Sequence, residues 1–320
     1  MRATTLSPAL HATGLRKSFG DTVALDGIDL EVAEGSVFAL LGPNGAGKTT
    51  TVQILSTLIP PDAGEVCVAG HDPAQDPQAV RDAIGVTGQF SAVDNLLTGE
   101  ENLALMADLH HLSRAEGRRR ADALLEQLDL VNERAKPAAT YSGGLRRRLD
   151  LAMTLIGRPR VIFLDEPTTG LDPRSRRAVW EIVRGLVDRG VTIFLTTHYL
   201  EEADELADQV ALLDHGKLIA EGTPDELKRR VPGGHVLLEF ADPAALDEAA
   251  RAFPGWVRDD DAMTLAVPGD GAVGSLRELL DALDRASVRV ERLTVHTPDL
   301  DDVFMALTGR ADTKETSNDP

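Results

Sequence analysis

The stretch GPNGAGKTT, Gly42 to Thr50, restricts this chain more than any other feature of it. It fits the pattern G-x-x-x-x-G-K-[ST]. It follows the continuous apolar run SVFALLG and precedes TTVQILSTL, a helical stretch. Strand, glycine loop and helix in that order is the context the pattern needs. Glycine lets successive amides turn inward on an anion, and the helix start adds its dipole. Gly42, Pro43, Asn44, Gly45, Ala46 and Gly47 therefore read as a phosphate cradle. Lys48 is expected to reach the β- and γ-phosphates of a nucleotide, the Thr49 hydroxyl to bind magnesium, and Thr50 to add a phosphate contact.

A cradle of this kind needs a sheet behind it. VIFLDEP and VTIFLTTH repeat the pattern of a buried strand, and helical segments such as ADALLEQLDL and RRAVWEIVRGLVDRG lie between the runs. Buried strands alternating with helices predict an α/β fold with a parallel sheet. VALDGIDLEV alternates as an antiparallel strand does. Residues 90–157 are expected to form a helical subdomain inserted between core strands. VPGG, Val231 to Gly234, punctuates the chain. Residues 10–230 read as one α/β domain and 231–309 as a small α+β domain of order βαββαβα. Residues 1–9 and 310–320 read as loose ends.

Composition excludes several classes. The net charge is −19, a field that repels phosphate backbones, so no nucleic-acid partner is expected. Aromatics for base stacking are few, at 4%. Cys67 is the single cysteine, which leaves no disulfide framework or thiolate metal site. No apolar run approaches the roughly 20 residues of a membrane helix, and the N-terminus lacks a signal-peptide core. A cytosolic chain is expected.

The carboxylates Asp165 and Glu166 end the apolar run VIFL, at the carboxyl end of the sheet where ligands bind. Asp165 suits magnesium, and Glu166 suits a general base that polarises water for attack on a γ-phosphate. A second anion site is legible at YSGGLRRRLD, Tyr141 to Asp150. There Ser142 can cap a helix, and Gly143 and Gly144 leave its first amides bare. The arginines that follow, Arg146 to Arg148, suit either a solvated helix face or contact with a partner.

Taken together these pieces resemble the ATP-binding subunits of ABC transporters, over residues 11 to about 230. YSGGL resembles the signature motif, with Tyr141 for the usual leucine and Leu145 for the usual glutamine. TGLDP, Thr169 to Pro173, resembles the D-loop, His198 the switch histidine, and Gln89 the glutamine that opens the helical block. Phe19 stands where the family stacks an aromatic on adenine. YSGG with RRRLDLA, VTGQF with LTGEENL, and PDLDDVFMALTG resemble the narrower daunorubicin and doxorubicin resistance group.

The resemblance implies a P-loop ATPase of ABC type: a RecA-like core, an antiparallel β subdomain, a helical subdomain, and here a small C-terminal domain. It implies ATP and Mg2+ as cofactors, with Thr49, Gln89 and Asp165 as metal ligands and Lys48, Glu166 and His198 as catalytic residues. Ser142, Gly143, Gly144 and Asp172 would act in trans, so that two copies pair on ATP. It also implies a separate membrane permease, a place on the cytoplasmic face of the membrane, and export of a drug-like compound. The alternative is a soluble ATPase of the same type acting on nucleic acid or ribosomes. Residues 231–309 carry no catalytic spacing and are expected to serve assembly.

Overall fold

The computed structural model describes residues 8–88, 92–231, 234–269, 272–296 and 298–308. The chain opens with β1 (Leu10–Phe19), β2 (Thr22–Val32), β3 (Val37–Leu41), α1 (Lys48–Leu55), β4 (Ala63–Val68), α2 (Pro77–Ala83) and β5 (Ile84–Thr87). The helices α3 (Gly99–Leu109), α4 (Arg114–Gln127) and α5 (Gly143–Leu155) follow. Then come β6 (Val161–Asp165), α6 (Pro173–Val187), β7 (Thr192–Thr197), α7 (Leu200–Leu206), β8 (Gln209–Asp214), β9 (Lys217–Gly222) and α8 (Pro224–Arg230). Contacts divide the chain into two compact units after Pro224.

In the first unit, β5, β6, β7, β3 and β8 lie side by side and parallel, with β9 antiparallel at the edge. Every residue of β3, β6 and β7 is buried, as a sheet covered on both faces requires. Phe194 stacks on Phe38 at 5.5 Å between ring centres and tilts against Phe163 at 5.6 Å. A second sheet, β2-β1-β4, is antiparallel. The two sheets share one core, which includes Leu10, Leu15, Leu30, Phe38, Leu55 and Leu213.

β1 pairs with both β2 and β4. Its alternation is interrupted by register shifts around Thr13–Arg16, where Gly14 takes φ +61°. Ala9, expected to be loose, is buried, and its amide donates to the Val32 carbonyl at 2.8 Å. The remaining expected loose ends, residues 1–7 and 310–320, lie outside the described residues.

The block between β5 and β6 is helical, as expected. α3 begins with a capping box: Thr98 accepts from the Glu101 amide, and the Glu101 carboxylate accepts from the Thr98 amide. The arginine run of α5 is not a solvated helix face. Arg147 is buried, and its Nη1 donates to the Gly88 carbonyl (3.2 Å) and to Asp150 (3.3 Å). Arg148 donates to the Leu128 and Asp129 carbonyls, closing the end of α4, and Arg146 reaches the Ala138 carbonyl. The run binds the helical block together because α5 packs against α3, α4, α6 and β5.

The second unit has the expected element order: β10 (His235–Glu239), α9 (Pro243–Ala252), β11 (Val257–Asp259), β12 (Thr264–Pro268), α10 (Val273–Arg285), β13 (Arg292–His296) and α11 (Leu300–Thr308). Its sheet, β11-β12-β10-β13, is antiparallel throughout. Val236 and Leu238 of β10, Leu265 of β12, Leu246 of α9 and Leu279 of α10 build the core. Phe253 and Trp256 stack at 3.9 Å and are only partly buried, packed against that core.

Candidate nucleotide site

The site is set by strand register. β3 pairs with β7 so that Leu41 faces Thr197, and β6 pairs with β7 so that Asp165 faces Thr196. The residues just beyond these ends are Gly42, Glu166 and His198. Three sequence-distant segments thus meet at the carboxyl end of the sheet's inner strands.

At Gly42 and Gly47 the loop after β3 has room for backbone alone. A Cβ on Gly42 would lie 2.1 Å from the Leu213 carbonyl oxygen. Gly47 takes φ +114°, and a Cβ there would lie 2.5 Å from the Ala24 carbonyl oxygen. α1 starts directly after it, at Lys48. Lys48 is buried, and its Nζ donates to the Gly42 and Pro43 carbonyls at 2.7 and 3.0 Å. Burial lowers its pKa, opposed by the charges of Glu166 and Asp165. Asn44 and Gly45 are exposed on the loop, Ala46 is buried, and Thr50 is half-buried.

Thr49 Oγ1 donates to Asp165 Oδ2 at 3.2 Å. The other Asp165 oxygen accepts from the Thr196 hydroxyl. Glu166 takes φ +48°, a left-handed conformation that costs a non-glycine residue about 1–2 kcal/mol. Its amide donates to the Thr196 carbonyl at 3.0 Å, which fixes that conformation. The Glu166 carboxylate accepts from Thr169 Oγ1 at 3.3 Å and stands 3.2 Å from His198 Nδ1.

Ser142, Gly143 and Gly144 form the start of α5, with Ser142 accepting from the Leu145 amide at 3.3 Å. Asp172 caps α6: it accepts from the Arg174 and Ser175 amides and from Ser175 Oγ. The two helix starts touch. A Cβ on Gly144 would lie 2.5 Å from Ser175 Oγ, and one on Gly143 would lie 3.4 Å from Leu171. Tyr141 is buried, and its hydroxyl donates to the Glu133 carbonyl at 2.7 Å, a contact the usual leucine lacks. Phe19 is half exposed, with Lys17 Nζ 5.6 Å from its ring centre. Gln89 lies outside the described residues.

Sequence reasoning missed Thr196 and Ser175, and named Thr169 only as the start of TGLDP. Thr196 sits inside an apolar run, and only the pairing of β6 with β7 shows what it touches.

The residues present suit a magnesium nucleotide. Among the described residues no group of three or more histidine, cysteine or carboxylate side chains could hold a metal. A hydroxyl and a carboxylate 3.2 Å apart nonetheless give the sparse oxygen set that Mg2+ accepts when phosphates complete its shell. The cradle closes on backbone at Gly42 and Gly47, as close phosphate approach requires. A cleft of 980 Å3 lies elsewhere, between α3 and α4, and is lined by residues such as Glu101, Asp108, Arg118 and Arg134.

Comparison with known proteins agrees with this geometry. The ABC transporter family matches residues 25–169, and the C-terminal domain of DrrA1-3-like ATP-binding proteins matches residues 222–308. The chain is 48% identical to the daunorubicin resistance ATP-binding protein DrrA3 of Streptomyces coeruleorubidus, over 94% of this chain and 96% of that one. It is 46% identical to the daunorubicin/doxorubicin resistance ATP-binding protein DrrA of Streptomyces peucetius, covering 96% and 95%. It is 37% identical to the Nod factor export ATP-binding protein I of Rhizobium sp. (strain N33), covering 94% and 97%. A solved ATP-binding subunit of an ABC transporter superposes with a TM-score of 0.63 at 30% identity, covering 69% of this chain and 92% of that one. The chain belongs to the ATP-binding proteins of ABC transporters, in the daunorubicin-resistance group.

Proposed function

We propose that this chain binds Mg-ATP between two copies of itself and hydrolyses it to drive export through a separate membrane protein. The observation that carries the reading is the convergence of Lys48, Thr49, Asp165, Glu166 and His198 at the ends of β3, β6 and β7. The glycine loop and Lys48 hold the phosphates. Thr49 and Asp165, with Gln89, hold Mg2+, which supplies positive charge against the phosphate oxygens. Glu166 takes the proton of the attacking water, and His198 fixes the carboxylate from its other side. Phe19 offers its exposed ring to the adenine.

Ser142, Gly143, Gly144 and Asp172 act on the nucleotide of the second copy. Their support is geometric: the α5 start and the α6 cap form one rim, and Ser142 and Gly143 are exposed on it. A helix start with free amides attracts a γ-phosphate. The two copies then separate when that group leaves.

No helix among the described residues is long and apolar enough to cross a membrane. The chain acts at the cytoplasmic face of the membrane. The names of the relatives favour an exported drug-like or lipid-like compound over work on nucleic acid. Residues 10–230 form the ATPase domain and 231–309 an accessory domain that serves assembly.

The test is phosphate release by the purified chain with Mg-ATP. Wild type should turn over, and Lys48→Ala should lose both affinity and rate. Equal turnover by the two would contradict the reading.

A further inference from the structure

α7 carries four acids in one short helix. Glu201, Asp204 and Glu205 are exposed, and Glu202 is fully buried beside Ala203 and Leu206. A glutamate thus occupies the apolar stripe of its helix, where burying a carboxyl is costly unless something needs it. Its Oε1 accepts from Trp180 Nε1 at 3.1 Å. The hydroxyls of Thr168 and Thr197 lie beside the carboxyl. Both threonines are fully buried, and neither Glu202 Oε2 nor Thr168 Oγ1 has a hydrogen-bond partner among the described residues.

The two threonines belong to the segments that carry the reacting pair. Thr168 follows Glu166 by two positions, inside the turn where Glu166 takes φ +48° and accepts from Thr169. Thr197 directly precedes His198. Its hydroxyl accepts from the Tyr199 amide at 3.0 Å, which leaves its proton free for a neighbour. The 3.2 Å between Glu166 and His198 is therefore a spacing between two segments, and Glu202 stands beside both.

We propose that Glu202 is a positioning residue, holding the turn after β6 and the end of β7 at the separation that Glu166 and His198 need. This rests on the roles given above to Glu166 and His198. Burial also raises the Glu202 pKa, against the neighbouring Thr197 hydroxyl, the Trp180 hydrogen bond, the Thr168 hydroxyl and the charge of Arg176. Glu202 Oε2 and Thr168 Oγ1 are both buried polar atoms that need a partner, and the hydroxyl can donate or accept. Glutamine at this position keeps a polar group for the Trp180 and threonine donors, whereas leucine keeps the bulk and loses it.

Steady-state ATP hydrolysis by Glu202→Gln, Glu202→Leu and Glu202→Ala tests this, with melting curves recorded alongside. Small misplacements of a reacting group cost up to about 100-fold. Glu202→Leu and Glu202→Ala should lose about 10- to 100-fold in kcat with KM for ATP held within about 2-fold, and Glu202→Gln should stay within about 3-fold of wild type. Thr168→Val, which removes the partner instead, should show the same loss of kcat at constant KM should the alanine variant not fold. Wild-type kcat in Glu202→Leu overturns the assignment. So does a glutamine variant as slow as alanine. Glu166→Gln in the same assay separates the two levels: if it turns over, the role of Glu166 falls, and if it is dead while Glu202→Leu is active, only the role of Glu202 falls.

Discussion

His198 Nδ1 lies 3.2 Å from Glu166 Oε1, and the two come from the ends of adjacent parallel strands, β7 and β6. The pairing of Asp165 with Thr196 sets this distance, and the Thr196 carbonyl holds the Glu166 amide in its left-handed turn. General-base groups contribute about 10²- to 10⁴-fold. Glu166→Gln should therefore lower kcat by at least about 100-fold, with ATP affinity unchanged. His198→Ala should lower kcat in the same direction by a smaller factor. Rapid-quench phosphate assays beside equilibrium ATP binding check both.

The cradle makes a steric prediction. Gly42→Ala places a Cβ 2.1 Å from the Leu213 carbonyl oxygen, on the neighbouring strand β8. Such overpacking costs about 1–3 kcal/mol, and melting should fall by roughly 2–4 °C for each of them. Gly45→Ala meets no atom within 4 Å, and only its φ of +81° resists the change. It should cost about 1 kcal/mol, so thermal melts of the two variants should differ in that order.

Arg147 offers a test of the helical block. Its guanidinium is buried against Asp150, with Nε and Nη2 unpartnered among the described residues. Burial lowers its pKa, opposed by the charges of Asp150, Glu202 and Asp165. Removing one member of a buried pair leaves the other uncompensated, at about 3–5 kcal/mol. Arg147→Ala should lose stability on that scale in urea titration, and Arg147→Ala with Asp150→Ala should recover part of it.

Glu202 predicts a pH dependence. Its folded pKa is raised above the ordinary 4.5 by burial. The folded state then binds more protons than the unfolded one between those two values, so its stability falls as pH rises through that window. Glu202→Gln has no such proton. The variant should gain stability relative to wild type as pH rises from about 4.5, and the difference should be constant below it. Chemical denaturation of both proteins across that range measures the effect.

Much of this was legible before any fold was in hand, because it is local. The phosphate cradle, the buried strands VFALL and VIFLD, and the whole order of the second unit follow from short-range pattern. Register was not legible. Nothing in VTIFLTTH shows that Thr196 will hold Asp165 and Thr197 will lie beside Glu202, since partners are chosen across the sheet. Arg147 and Glu202 were missed for another reason. A charge in an amphipathic helix reads as solvated, and its burial is decided by what packs on that face. The shared rim of Gly144 and Ser175 likewise depends on two helices meeting, although each start was visible alone.

The claim on which the rest depends is that each nucleotide is gripped by two copies of the chain. Light scattering on Glu166→Gln with saturating Mg-ATP tests it directly. The expected result is twice the monomer mass, returning to monomer when Ser142→Arg is added to block the α5 start. A strictly monomeric Glu166→Gln protein that has bound ATP would contradict the account.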